Sequence, residues 1–312
     1  GRNYFLTWMM CMDALKPLWH RKAIIVLWCS LLFSVTSIAD VAFVVRERQP
    51  MAEQMAKTIA QSLQIPSQLL TLGDNQVDWS SFDAIVLLGE PVLDAWQAPT
   101  DSPIVAVFVS RESAQRRSAL LKSAIYVEPP LSRQIALSKI LLGFDVHLGV
   151  LVSDAFAVSA ADEVAKARRD ELVNVYPLSD LNNLNRTLIE LLADNQALVG
   201  VYDSELYSPN NIKNILITAY RQNRPLIGPS SAYIKAGSLA STYSDLDDVS
   251  KRLIEILSAG LKKKKWAKQD YNPYFQVRYN EQVGRSLNLS LPEVNDVVHA
   301  LTKAEGDHHE LP

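Results

Sequence analysis

Short apolar runs alternate with amphipathic segments from residue 40 onward. Runs such as Val41–Val45, Ala84–Leu88 and Ile104–Val109 are apolar at every position, which predicts strands buried on both faces. The segment 51–63 places apolar residues at 51, 55, 59 and 63, on one face of a helix. Because strands covered on both faces receive that cover from crossover helices, the alternation predicts doubly wound α/β layers with parallel sheets.

The strands are too many for one sheet, so we divide the chain at 128–130 into two α/β lobes. Further predicted strands lie at 124–127, 148–152, 172–176, 197–202, 238–243 and 275–279. Further predicted helices lie at 131–142, 160–169, 181–193, 212–221, 249–257 and 291–301. Ser159 is placed to cap the helix at 160–169, and Gly260 is expected to end the helix at 249–257.

The first 39 residues resemble an export signal. Arg21 and Lys22 precede the apolar run 23–33, and Ser37 and Ala39 occupy the small-residue positions of a cleavage site. This run is shorter than the roughly 20 residues that span a bilayer, although an uncleaved anchor remains an alternative. The segment before Met12 adds nothing to the signal, so Met12 is a possible start. We therefore predict a signal peptide over 1–39 and a periplasmic location.

Composition narrows the classes of function. The 312 residues carry 31 basic and 34 acidic side chains, a formal net charge of −3, which excludes a nucleic-acid binder that relies on clustered basic charge. Both cysteines, Cys11 and Cys29, lie within the predicted signal. The mature chain therefore has no disulfide, cysteine-ligated metal or cysteine nucleophile.

Motifs for catalysis and for cofactors are missing from the sequence. It contains no dinucleotide-binding glycine fingerprint, no Walker loop and no G-x-S-x-G elbow. The tail histidines, His308 and His309, make a poor metal site. We expect a protein without enzymatic activity, cofactor or metal, although a pair of carboxylates that meet only in space is not visible in a sequence.

The loops that follow the predicted strands supply candidate ligand contacts, because ligands of open α/β sheets bind outside the carboxyl ends of strands. That rule, with the chemistry of each side chain, selects Arg46, Glu90, Ser110, Ser153, Asp203, Tyr207, Asn210, Ser230 and Ser231. Asp203 would accept from a ligand ammonium and a tyrosine would form an apolar wall. Ser230 and Ser231, before a predicted helix, would suit a ligand carboxylate. Alternatives remain for several of these residues: the serines and Asn210 or Asn211 as helix caps, and Arg46 as a surface residue.

Several segments resemble a known family. They follow in order as 206–220 (LYSPNNIKNILITAY), 225–228 (PLIG), 232–240 (AYIKAGSLA), 274–280 (YFQVRYN) and 285–289 (RSLNL). This pattern is similar to that of ABC-transporter substrate-binding proteins whose better-known members bind amino acids. The similarity covers most of 40–301 and is sharpest over 200–300. The chain departs from the family in the charged turn Arg46–Pro50, where amino-acid-binding members have a small polar turn.

The resemblance implies a type I periplasmic-binding fold, in which two lobes joined by three chain crossings close on a ligand. We place the crossings near 128–131, 237–240 and 261–273. Lobe one would comprise 40–130 and 238–262, lobe two 131–237 and 273–301, and a disordered tail 302–312.

The function that follows is reversible binding of a small polar or amino-acid-like ligand for an ABC permease in the inner membrane, by a monomer that does not contact nucleic acid. A ligand-sensing module that signals to a membrane partner such as a sensor kinase is the alternative. An exported enzyme is a third possibility, which the missing catalytic motifs disfavour.

Overall fold

The computed structural model describes residues 39–74 and 76–306. The predicted signal peptide, apart from Ala39, and the last six residues lie outside the described residues. Within those residues, no helix has the length and apolar character needed to cross a membrane.

Two six-stranded sheets organise the described part of the chain. The first has the order β11-β5-β4-β3-β1-β2 and is parallel throughout. Its strands are β1 Val41–Val45, β2 Ser67–Thr71, β3 Ala84–Leu88, β4 Ile104–Val109, β5 Ser123–Tyr126 and β11 Asp270–Tyr271. The prediction of parallel α/β layers is confirmed for this half.

The second sheet has the order β12-β10-β9-β8-β6-β7, and only β12 runs antiparallel, against β10. Its strands are β6 Leu148–Ser153, β7 Val173–Leu178, β8 Ala197–Val199, β9 Leu226–Ile227, β10 Ala240–Tyr243 and β12 Gln276–Tyr279. The predicted fold class, two doubly wound lobes, is therefore confirmed.

Eleven α-helices connect and cover these strands over the described residues. They are α1 Pro50–Leu63, α2 Glu90–Ala95, α3 Arg111–Arg116, α4 Leu131–Leu142, α5 Asp154–Ser159, α6 Ala161–Ala167, α7 Leu184–Asp194, α8 Pro209–Arg221, α9 Leu246–Lys263, α10 Glu281–Ser286 and α11 Val294–Glu305. Single 3₁₀ turns occur at Trp79–Ser81, Leu181–Asn183 and Ser231–Tyr233.

Alternation along the strands builds a core on each face of the first sheet. Val41 and Phe43 pack on the face that α1 and α9 cover, whereas Ala42 and Val44 pack on the opposite face with Trp96. Successive strand residues point to opposite faces, so a strand that is apolar at every position is buried on both. This explains why β1, buried at all five positions, could be predicted from its sequence.

The chain crosses between the sheets three times, near 127–130, 244–245 and 272–275. The second crossing differs from the expected one at 237–240. Residues 238–243, expected in lobe one, belong to the second sheet, because β10 pairs with β9 and β12. We define lobe one as the first sheet with its covering helices, including α9, and lobe two as the second sheet with its own.

Local predictions also needed correction. The helix predicted at 160–169 is present as α6, but Ser159 does not cap it: Ser159 ends α5, which Ser153 caps, and donates to the Phe156 carbonyl. Gly260 lies inside α9, which runs on to Lys263. The residues at 302–305, expected in a disordered tail, continue helix α11.

Candidate functional site

A polar cleft of about 280 Å³ lies between the two lobes, at the carboxyl ends of their strands. Lobe one contributes the turn between β4 and α3, and lobe two contributes α5 and the loop after β8. The lining residues are Glu90, Ser110, Arg111, Glu112, Ser113, Arg116, Glu128, Ser153, Ala155, Phe156, Ser159, Ala160, Tyr202, Asp203, Ser204, Glu205 and Tyr271. We call this space the interlobe cleft.

A second, mainly apolar pocket of about 380 Å³ lies within lobe one. Arg46 and Glu47 border this pocket, together with Met51, Met55 and Phe108. Only lobe one lines it, whereas both lobes line the interlobe cleft. Because a ligand that holds two lobes together must touch both, the interlobe cleft is the better candidate site.

Successive backbone amides at the start of α3 hold two carboxylates. The Ser110 amide donates to Oε1 of Glu90 at 2.8 Å, and the Arg111 amide donates to Oε1 of Glu128 at 2.8 Å. Neighbouring amides therefore place two acidic side chains side by side in the cleft wall. Glu128 is only 8% exposed, and its Oε2 has no hydrogen-bond partner.

The two carboxyl groups differ in acidity. Burial opposes ionisation of Glu90, but hydrogen bonds from Ser110 and Ser113 outweigh it and lower the pKa of Glu90. Burial raises the pKa of Glu128 to about 7, and the charge of Glu90 adds to the increase. Carboxylates that lie close together titrate apart in this way, so Glu90 is ionised near neutral pH while Glu128 takes up a proton.

Arg111 connects the lobes across the cleft. One terminal nitrogen donates to the Tyr271 hydroxyl at 3.0 Å, and the other meets Asp162 of α6 at 2.5 Å. The guanidinium also lies over the Tyr271 ring, 5.7 Å from its centroid. The Arg111–Asp162 pair therefore joins α3 of lobe one to α6 of lobe two.

Ser153 and Asp203 shape the wall that lobe two contributes. The Ser153 hydroxyl donates to Oδ2 of Asp203, while the amides of Glu205 and Leu206 donate to Oδ1. Asp203 thus orders its own loop, and most of its capacity to accept hydrogen bonds is already used. Tyr202, next to it, is 38% exposed and presents an aromatic ring at the cleft.

Four residues selected from the sequence lie together in the interlobe cleft: Glu90, Ser110, Ser153 and Asp203. The other five lie outside its lining. Arg46 borders the apolar pocket, and Asn210 is exposed on the first turn of α8, which Ser208 caps in place of an asparagine. Tyr207 is fully buried, donating to the Leu151 carbonyl at 3.3 Å. Ser230 precedes, and Ser231 begins, a 3₁₀ turn that has no side-chain cap.

Glu128 and Tyr271 are cleft residues that the sequence argument did not select. Glu128 follows the carboxyl end of β5, so the rule that ligands bind outside the carboxyl ends of strands also applies to it. The sequence argument uses 128–130 only as the boundary between lobes. Tyr271 enters from β11, a strand of two residues that is too short to show a pattern. Both lie where the chain crosses between lobes, so hinge and site share residues.

In the described ranges, no group of three or more histidine, cysteine or acidic side chains is arranged to hold a metal ion.

The fold of this chain is similar to that of several solved structures, three of which are described here. A ligand-free, open substrate-binding protein with adhesive properties from Clostridium difficile aligns with a TM-score of 0.59 at 13% identity, covering 82% of this chain and 97% of that one. A conserved domain protein from Vibrio cholerae aligns with a TM-score of 0.52 at 15% identity over 84% and 98%. An ABC domain from Streptococcus pneumonia in complex with L-Trp aligns with a TM-score of 0.50 at 16% identity over 84% and 98%.

The chain has the type I periplasmic-binding fold. Identities of this size establish the fold alone. A scan against family models finds no match, and neither does a search of curated proteins.

Proposed function

We propose that this protein binds a small polar or amino-acid-like solute reversibly in the interlobe cleft and delivers it to an ABC-type permease. The lining of the cleft by both lobes is the observation that carries the proposal. A solute that contacts α3 from one side and the loop after β8 from the other stabilises the closed arrangement by its differential affinity. In this proposal the protein is exported through residues 1–39, acts as a monomer and does not transform its ligand.

The hinge supports reversible closure. Three chain segments cross between the lobes, and the buried Gln134 side chain on α4 bonds Ser241 and Thr242 of β10 at 2.9–3.1 Å. Lobe two thus has a fixed internal frame next to the crossings. Movement then falls on the few residues of the crossings, which is how hinges absorb a closure.

A thermal-shift screen of the protein against amino acids, amines, sugars and small anions tests the proposal. A compound at a hundredfold excess over its dissociation constant stabilises the protein by about 2.7 kcal/mol, which raises the melting temperature measurably. Small-angle scattering with the same compound should show a smaller radius of gyration. If no compound in the panel shifts melting or compacts the protein, the receptor function is contradicted.

Replacement of Tyr202 locates the binding site. We expect Tyr202→Ala to weaken binding of any compound found in the screen by about fivefold or more, because an aromatic contact contributes ~1 kcal/mol. Tyr220→Ala is the matched control, since Tyr220 is an exposed tyrosine on α8 outside the cleft. Equal calorimetric affinity of both variants for the compound would place binding elsewhere.

A further inference from the structure

The carboxylates of the interlobe cleft exceed the cations available to neutralise them. Arg116 pairs with Glu112 at 2.7 Å, and Arg111 pairs with Asp162 at 2.5 Å. Neither arginine forms an ion pair with Glu90 or Glu128. The charge of Arg116 lowers the pKa of Glu90, and that of Arg111 opposes the rise in the pKa of Glu128, only as minor effects from a distance. The cleft therefore holds negative charge that no side chain of the lining pairs with.

Glu128 provides a hydrogen-bond acceptor in the cleft that no described residue occupies. It is 8% exposed, lines the cleft, and its Oε2 has no hydrogen-bond partner. A buried acceptor without a partner costs free energy until a donor reaches it. Because Glu90 is held on the preceding amide, a donor placed at Oε2 of Glu128 lies next to a second carboxylate.

We propose that the interlobe cleft selects an organic amine of net positive charge, with its ammonium or guanidinium group seated between Glu90 and Glu128. This rests on the proposed function and names the chemical class of the solute. Both cleft arginines are already engaged by acids, which disfavours a ligand that carries a carboxylate. The unpartnered Nε of Arg111 is a single donor and suits a hydroxyl or carbonyl oxygen of the same ligand.

Binding of such a cation is linked to release of a proton. The empty cleft binds a proton on Glu128 below pH about 7, and the cation takes the place of that proton, leaving a Glu128 carboxylate paired with the ligand. The charged or titratable groups around Glu128 are Glu90, Arg111, Tyr126, Tyr202 and Tyr271. The pKa values of Tyr126, Tyr202 and Tyr271 are all raised by burial, so these side chains stay neutral in this range and Glu128 is the group that titrates.

Calorimetry with matched pairs of probes tests the class of ligand. The probes are agmatine against arginine, tryptamine against tryptophan, and putrescine against 1,4-butanediol. At least one amine should bind, and should bind more tightly than its partner that carries a carboxylate or lacks the charge. If only neutral or anionic compounds bind, or if arginine and tryptophan bind better than their amines, the inference is overturned while the receptor function stands.

Isosteric variants test the two carboxylates. Glu128→Gln keeps the oxygen that accepts from the Arg111 amide but cannot ionise. The affinity of the wild type for the bound amine should fall about tenfold for each pH unit below 7, and Glu128→Gln should abolish this dependence. Glu90→Gln should weaken binding at every pH. Glu190→Gln, a change on an exposed face of α7 outside the cleft, is the control and should behave as the wild type.

The same pH series can also contradict the proposal. An amine affinity that stays constant from pH 5 to 8 in the wild type, or that falls equally in Glu190→Gln and Glu128→Gln, would overturn the assignment of the cation to Glu90 and Glu128. Melting curves of each variant at pH 7 show whether it is folded, so a loss of binding is not confused with unfolding.

Discussion

Glu128 costs the empty protein stability as the pH rises. Its pKa is raised by burial from 4.5 to about 7 in the folded chain, so the folded state binds the proton more tightly than the unfolded state does. Stability that is present below pH 4.5 is therefore lost as pH rises toward 7, by up to ~3 kcal/mol at 1.36 kcal/mol per pKa unit. The same carboxyl is the one to which we assign the ligand cation.

We expect Glu128→Gln to remove that loss. The variant should be more stable than the wild type at pH 8 and no more stable at pH 4, because glutamine has no charge to bury. Urea unfolding at the two pH values measures the difference. Glu205→Gln, exposed at the rim, should show no such change, and equal pH profiles for Glu128→Gln and the wild type would contradict the raised pKa.

At the scale of elements, Gly260 shows that a glycine does not always end a helix: its tertiary packing explains its position better than its residue type does. A glycine near the end of an amphipathic segment indicates a helix stop, yet α9 continues past it and ends with Lys264 in the left-handed region at φ 56°. The reason is packing: a Cβ at Gly260 would lie 2.5 Å from the Trp266 ring. The close contact is with Trp266, which follows the helix. The hydrophobic pattern of the helix itself therefore does not predict it.

Gly260→Ala should destabilise the protein. Alanine favours a helix by about 1 kcal/mol over glycine, but overpacking against a ring costs roughly 1–3 kcal/mol, so we expect a net loss. Lys262→Ala, on the exposed side of the same helix, is the control and should change stability little. A gain in the urea midpoint for Gly260→Ala would show that Trp266 moves aside freely.

Helix α11 is joined to α4 of lobe two by an ion pair whose arginine is buried. Arg133 on α4 is 3% exposed, pairs with Glu305 at 2.5 Å, donates to the Asn272 carbonyl at 3.0 Å and lies 4.0 Å from the centroid of the Phe275 ring. Glu305 is therefore a structural residue of the last helix, although its polar surroundings in the sequence suggested a disordered tail. The contact joins α4, α11 and the third crossing.

Arg133→Ala should cost about 1–3 kcal/mol, since it removes a buried arginine that bonds Glu305 and the Asn272 carbonyl. Arg285→Ala breaks an exposed pair with Glu281, four residues away on α10, and should cost less than ~0.5 kcal/mol. Denaturant unfolding of both variants provides the comparison. Similar small losses would mean that Glu305 finds water or another partner when Arg133 is removed.

For the whole molecule, the sequence was enough to predict two lobes but not the residues by which they meet. The strands of the first sheet are apolar runs, and β1, β3 and β4 follow from hydrophobicity alone. Asp162 lies in the first turn of α6, and only the fold places it opposite Arg111. The edge strand β2 was not predicted, because its residues are half-buried and mixed in polarity.

The Arg111–Asp162 pair links the two lobes, so its removal should favour their separation. We expect Asp162→Ala to enlarge the radius of gyration of the ligand-free protein in small-angle scattering, with a stability change below ~1 kcal/mol because Asp162 is 67% exposed. Glu112→Ala, which removes a pair within α3, should leave the scattering unchanged. An unchanged radius in Asp162→Ala would show that the crossings alone set the lobe arrangement.

The strand that completes lobe one comes from near the far end of the chain. β5 pairs with β4 on one side and with β11 on the other. Because β11 follows five of the six strands of lobe two in the sequence, the second edge of β5 has no partner until those strands have been synthesised. A nascent chain halted before residue 270 would present that bare β5 backbone to other molecules, as unpaired sheet edges do. Although its first strand emerges from the ribosome before any other, lobe one is finished only after most of lobe two has been synthesised.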